Sequence, residues 1–138
     1  MGRVFFNTRK NVKHIAAAYT VLPGDSGNMF MVNQASAYDI ALPNAADALD
    51  GWYADFIVGT VGANDVTISA TAGDGDNIHG LGIDGEDGAA QTVTEGTGVD
   101  VVTLKSGATK GDRLRLMCDG TSYYVISFAA DKAHITFT

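Results

Sequence analysis

The sequence predicts an all-β domain: an antiparallel β-sandwich or barrel, jelly-roll or Greek-key in type, with at most one short helical turn. Three observations carry this. Glycine supplies 17 of 138 residues against two prolines, roughly twice the usual ~7% share, as many tight turns between strands require. Turn-forming clusters recur roughly every 8–12 residues. Between them the apolar residues alternate with polar ones instead of repeating every three or four positions.

The plainest element is "GDRLRLMCDGTSYYVISF", residues 111–128. Leu114, Leu116 and Cys118 alternate with Arg113, Arg115 and Met117, and the return run is aromatic and β-branched, as a half-buried strand should be. Asp119-Gly120 between the runs is favoured in two-residue type I′ turns, which need positive φ at both central positions. A turn centred there sets Leu116 opposite Tyr123 and Leu114 opposite Val125, with both arginines on the other face.

The remaining strands follow the same logic. They are expected at 14–22, 28–33, 37–42, 52–59, 65–70, 77–83, 99–105, 112–118, 123–128 and 133–137. Between them lie "PGDSG", "TAGDGD", "DGEDGAA", "EGTG" and "KSGATKGD", built from turn residues. In "DVTISAT" Val66, Ile68 and Ala70 share one face against Thr67 and Ser69. One helical turn is expected in "PNAADALDG", with Asn44 as its N-cap and Gly51 as its stop. Asp-Gly before aromatic residues recurs in "LDGWYADFIV" and "CDGTSYYVISF", but the flanks differ, so this is reused turn chemistry and not a repeat.

A chain of this length forms one domain with a real core. Its formal charge of −7 opposes nucleic-acid binding, which rests on a broad basic surface. The charge is unevenly placed. Arg3, Arg9, Lys10 and Lys13 are four of the nine basic residues, and no acid precedes Asp25. Residues 74–87 hold five acids and no base. The expected organisation is therefore a basic arm over residues 1–18, either a solvated tail or a docking segment, followed by a single β domain over 19–138. The opening apolar run is interrupted by Tyr19 and Thr20, unlike a secretory leader. No run approaches the ~20 apolar residues of a membrane span, so neither nucleic acid nor membrane is an expected partner.

Several segments imitate catalytic or metal motifs. "GDSGN", residues 24–28, looks like the nucleophile motif of trypsin-like proteases. That fold places its histidine, its aspartate and a whole first barrel before the serine, whereas only 25 residues precede Ser26. "DGDNIHGLGIDGEDG" fails the calcium-loop pattern: counted from Asp74, the fifth position is Ile78 and the twelfth Gly85. An adventitious carboxylate site there remains the alternative to a solubilising loop. His14, His79 and His134 are widely spaced, and the single Cys118 permits no intrachain disulfide and reads as a core residue. No enzyme activity, metal or cofactor is expected.

The order of the pieces resembles small virion proteins of tailed bacteriophages. "YTVLPGDSGNMFMVNQASAYDIALP" is similar to their opening strand, "DSG" turn and Leu-Pro ending. "DVTISATAGDGDNIHG" is similar to the segment that follows, and "KGDRLRLMCDGTSYYVISF" to their closing hairpin, with Tyr123 where tryptophan is common. The resemblance spans roughly residues 19–128. It implies a β module of capsid decoration (cement) proteins or of head and tail fibres, often homotrimeric and without catalytic residues. With no long shaft in the sequence, a decoration protein on the outside of the head shell, contacting the major capsid protein and itself, is the first expectation. A fibre-tip module binding a host glycan or protein through Trp52, Tyr53, Tyr123 and Tyr124 is the alternative. The expected capsid-binding residues are Arg3, Phe5, Phe6, Arg9, Lys10 and Lys13. The expected self-association contact is Trp52 and Phe56 with His134, Ile135 and Phe137 of the "HITFT" segment.

Overall fold

A computed structural model describes residues 11–70, 77–85 and 93–138. The chain runs through β1 (Val12–Ile15), β2 (Tyr19–Thr20), a 3-10 turn at Pro23–Asp25, β3 (Met29–Asn33), β4 (Tyr38–Ala41), α1 (Ala45–Ala48) and β5 (Asp50–Thr60). It continues through β6 (Val66–Ser69), β7 (Ile78–Asp84), β8 (Val93–Val99), β9 (Val101–Leu104), β10 (Arg113–Asp119), β11 (Tyr123–Ala129) and β12 (Ile135–Phe137). Two sheets result, a seven-stranded one ordered β1-β3-β5-β10-β11-β7-β8 and a five-stranded one ordered β12-β9-β6-β4-β2.

The inward faces of both sheets meet in one core, the layered solution an all-β chain requires. Phe30, Phe56, Leu114, Leu116 and Tyr123 from one sheet pack with Ile40, Val66, Ile68, Val102 and Leu104 from the other. Each such side chain contributes about 1.5–3 kcal/mol on leaving water. Phe30 stacks on Phe56 with ring centroids 4.9 Å apart. Tyr123 meets Trp52 edge-on at 5.8 Å and donates its hydroxyl to the Pro43 carbonyl at 2.7 Å, so its polar tip is satisfied inside the core.

The sheets are mixed, not purely antiparallel. From β1 to β6 the chain alternates between sheets, so β1, β3 and β5 run parallel in one and β2, β4 and β6 parallel in the other. A strand that crosses over and returns arrives pointing the way it started. Period-2 alternation reports which face is buried but not which way a neighbour runs, so the sequence carried no signal for this. Antiparallel hairpins appear later, at β7–β8 and β10–β11.

The β10–β11 hairpin forms with its register moved by two. Leu116 lies opposite Val125, Leu114 opposite Ser127 and Cys118 opposite Tyr123. Gly120 takes the positive φ, 83°, and Asp119 turns its carboxylate back to accept the N–H groups of Thr121 (2.9 Å) and Ser122 (2.8 Å). The turn therefore centres one residue later, on Gly120-Thr121. A two-residue change of partner preserves the faces, and Leu114, Leu116 and Cys118 point inward as expected.

Three further differences are local. β8 runs through the glycine-rich "VTEGTGV", where the sequence predicts a turn at "EGTG". Glycine is needed at position 96 because a Cβ there would stand 2.9 Å from the Phe137 ring. β1 lies within residues 1–18 and pairs with β3, so the sheet begins inside the segment expected to be an arm. In α1, Asn44 caps through its side chain to Ala46 N–H at 3.0 Å, but the helix ends on Leu49, held at φ 68°, ψ 167°.

Candidate functional site: the outer face of the seven-stranded sheet

Alternation along each strand sends every second residue of the seven-stranded sheet outward, and the register lines these residues into rows. Tyr53, Met117, Tyr124 and His79 make one row. Met29, Asp55, Arg115, Ile126 and Leu81 make the next. Met31, Ile57, Arg113, Phe128 and Ile83 make a third. Val12 and His14 extend the last two rows on β1. Most of this surface is apolar yet open to solvent: Leu81 is 46% exposed, Met117 and Phe128 44% and Tyr124 43%. Apolar side chains exposed on neighbouring strands in this way form the kind of surface that proteins use for interaction.

The sequence of β11 carries a matching signal. "YYVISF" is apolar on both parities, with Tyr123 and Val125 inward and Tyr124, Ile126 and Phe128 outward. Near-continuous apolar strands belong where both faces of a sheet are covered. Within one copy only the inner face is.

Charge on this face is ordered along β10. At its centre Arg115 grips Asp55 with two bonds, Nε to Oδ1 at 2.5 Å and a second guanidinium nitrogen to Oδ2 at 2.9 Å. That bonding raises the arginine pKa above its ordinary value. The same guanidinium lies over the Tyr53 ring, 5.5 Å from its centroid. At one end Arg113 sits over Phe128 at 5.7 Å and, among the described residues, makes no ion pair. At the other end stands Asp119, beside Asp50 in register. The N–H groups of Ser122 and Thr121 and the Tyr124 hydroxyl (3.0 Å) hold the Asp119 carboxyl below its usual range, and Asp119 in turn pushes the Tyr124 hydroxyl pKa up. Around Arg113 the face dips into an open depression of about 370 Å³ lined by Met29, Ile57, Arg113, Ile126 and Phe128 among others.

The outer face of the five-stranded sheet is different in kind. Asp39 there accepts the hydroxyls of Thr67 (2.7 Å) and Ser69 (2.5 Å), next to small residues such as Ala41. It offers few large apolar side chains, so the two sides of the sandwich are chemically distinct.

The residues singled out from sequence fall in several places. Arg3, Phe5, Phe6, Arg9 and Lys10 lie outside the described residues. Lys13 belongs to β1, where its ammonium pairs with the Asp25 carboxylate and donates to the Tyr19 hydroxyl at 3.0 Å; the Asp25 bond is the main cause of its raised pKa. Trp52, Phe56 and Ile135 are buried within a single copy, where they fill the sandwich. Phe137 is half-buried against Gly96. The ring Nδ1 of His134 meets Asp112 at 2.8 Å. Of the four aromatics suggested for glycan contact, Trp52 and Tyr123 are internal, whereas Tyr53 and Tyr124 share the exposed face.

The motif look-alikes resolve into structure. Ser26 accepts the Tyr53 N–H through its hydroxyl at 3.3 Å. Its neighbour Asp25 is a buried hub that also bonds Leu22 N–H (3.0 Å) and Asn28 (3.0 Å). Among the described residues no three or more His, Cys, Asp or Glu side chains converge as metal ligands would. Four of the five acids of the 74–87 stretch, Asp74, Asp76, Glu86 and Asp87, lie outside them. His79 accepts the Gly98 N–H through Nδ1 at 3.1 Å. Comparison with known proteins brings no relative to the chain: no family model, no curated protein and no solved structure matches it.

Proposed function

We propose that this chain is a structural binding module of a virus particle, a capsid decoration protein that sits on the outer surface of the head shell, associates with itself and contacts the major capsid protein. The motifs over residues 19–128 motivate the virion assignment. The single observation that carries the binding role is the outer face of the seven-stranded sheet, a broad apolar surface that one copy leaves uncovered. A fibre-tip module is the second reading, favoured by Tyr53 and Tyr124 flanking Met117 on that face, because aromatic planes suit sugar rings. Electron cryomicroscopy of particles assembled with and without this protein tests the assignment. Added density on the outside of the shell is expected; particles that never incorporate the chain would refute it.

A further inference from the structure

The outer face of the seven-stranded sheet carries a pattern beyond its apolarity. Along β10 it is cationic at Arg113, neutralised at the Arg115–Asp55 pair, apolar at Met117 and anionic at Asp119. Arg113 and Asp119 are six residues apart on one strand, about 20 Å. A two-fold axis lying in the plane of the face and crossing β10 near Leu116 reverses the strand direction in a second copy. It therefore brings Arg113 of each molecule opposite Asp119 of the other, with Met117 of each over the Arg115–Asp55 pair.

We propose that a second copy of this chain covers this face in a two-fold, face-to-face dimer, closed by reciprocal Arg113–Asp119 ion pairs around an apolar centre. Three observations meet in this one occupant. The charge pattern is complementary to its own reversal, which is the condition for an isologous contact. The seven strands span about 29 Å by 20 Å, about 600 Å² per partner in projection, which is the lower end of the size range of specific interfaces. The open depression beside Arg113 gives the Met117 and Tyr124 side chains of the second copy a place to enter. The contact deepens the self-association proposed above, but it specifies two-fold symmetry where the sequence resemblance implies a homotrimer.

Sedimentation equilibrium on the full chain, from about 1 to 100 µM, decides it. The wild-type protein is expected to dimerise. R113D and D119R should each weaken the dimer by about tenfold or more, because each sets like charges together at both ends of the contact. An equimolar mixture of R113D and D119R should recover association, because opposite charges then face each other at both ends. D119R also disturbs the hairpin turn, so M117K, at an exposed position away from the turn, serves as the independent variant and should leave a folded monomer. A wild-type trimer, or a dimer indifferent to R113D and M117K, overturns the two-fold contact while leaving self-association standing. A monomer at 100 µM overturns both and assigns the face to a different protein.

Discussion

At the residue scale, Asp25 ties the start of the sandwich together by accepting bonds from Lys13, Tyr19, Leu22 N–H and Asn28. Asp25 looked like part of a protease motif and is instead the anchor of the first strand. Burial opposes its charge, but bonds from Lys13, Leu22 N–H and Tyr19 outweigh burial and hold its pKa below 3.8. A carboxylate so depressed stabilises the fold above its unfolded pKa and loses that contribution as pH falls through the folded value. Thermal melts of D25N should therefore lie about 4–8 °C below wild type at pH 7, with the gap narrowing below about pH 4. Leu49 presents the opposite case, an exposed side chain in a backbone region that favours glycine. Leu49→Gly should raise the unfolding free energy by about 1 kcal/mol, measurable by urea titration. Gly80 leaves no such freedom: a Cβ there would lie 1.9 Å from the Val125 carbonyl oxygen. Gly80→Ala should cost about 2–3 kcal/mol in the same titration.

At the element scale, what the sequence made legible was burial. Strands β3 to β7 and β9 to β12 fall where alternation and turn residues placed them, and the Asn44 cap starts α1. Direction and register were not legible, because parallel and antiparallel strands share a side-chain period of two. β8 was missed because its glycines, of which Gly96 admits the Phe137 ring, read as a turn. The docking face was half-legible. "YYVISF" is apolar on both parities, yet with one sheet in mind its outward residues pass for ordinary strand formers. Tyr123 offers a test of how the hairpin is tied to the α1 loop. Removing its buried hydroxyl in Tyr123→Phe leaves the Pro43 carbonyl without its donor and should cost about 1–3 kcal/mol, while the neighbouring Tyr124→Phe, on the open face, should leave urea stability nearly unchanged.

For the whole molecule, one side of the sandwich is small and hydroxyl-bearing, and the other is large, apolar and ordered in charge. We propose the basic segment before β1, which carries Arg3, Arg9 and Lys10, as a second means of attachment. Because the Asn11 carbonyl already accepts the Met29 N–H at 2.8 Å, a deletion of residues 1–10 stops short of the first pairing. It should leave the fold and its self-association intact while reducing retention on particles in a co-sedimentation assay, and undiminished retention would move the anchor to the β body. The central claim is that the outer face of the seven-stranded sheet is covered when the protein works. Met29, Met31 and Met117 all lie on that face and report on it directly through their rates of oxidation by dilute hydrogen peroxide, read by mass spectrometry. Oxidation of Met117 and Met29 should be at least several-fold slower in the assembled protein than in the dispersed M117-containing R113D variant. Equal rates in the two states would show that the face stays open to solvent and contradict the claim.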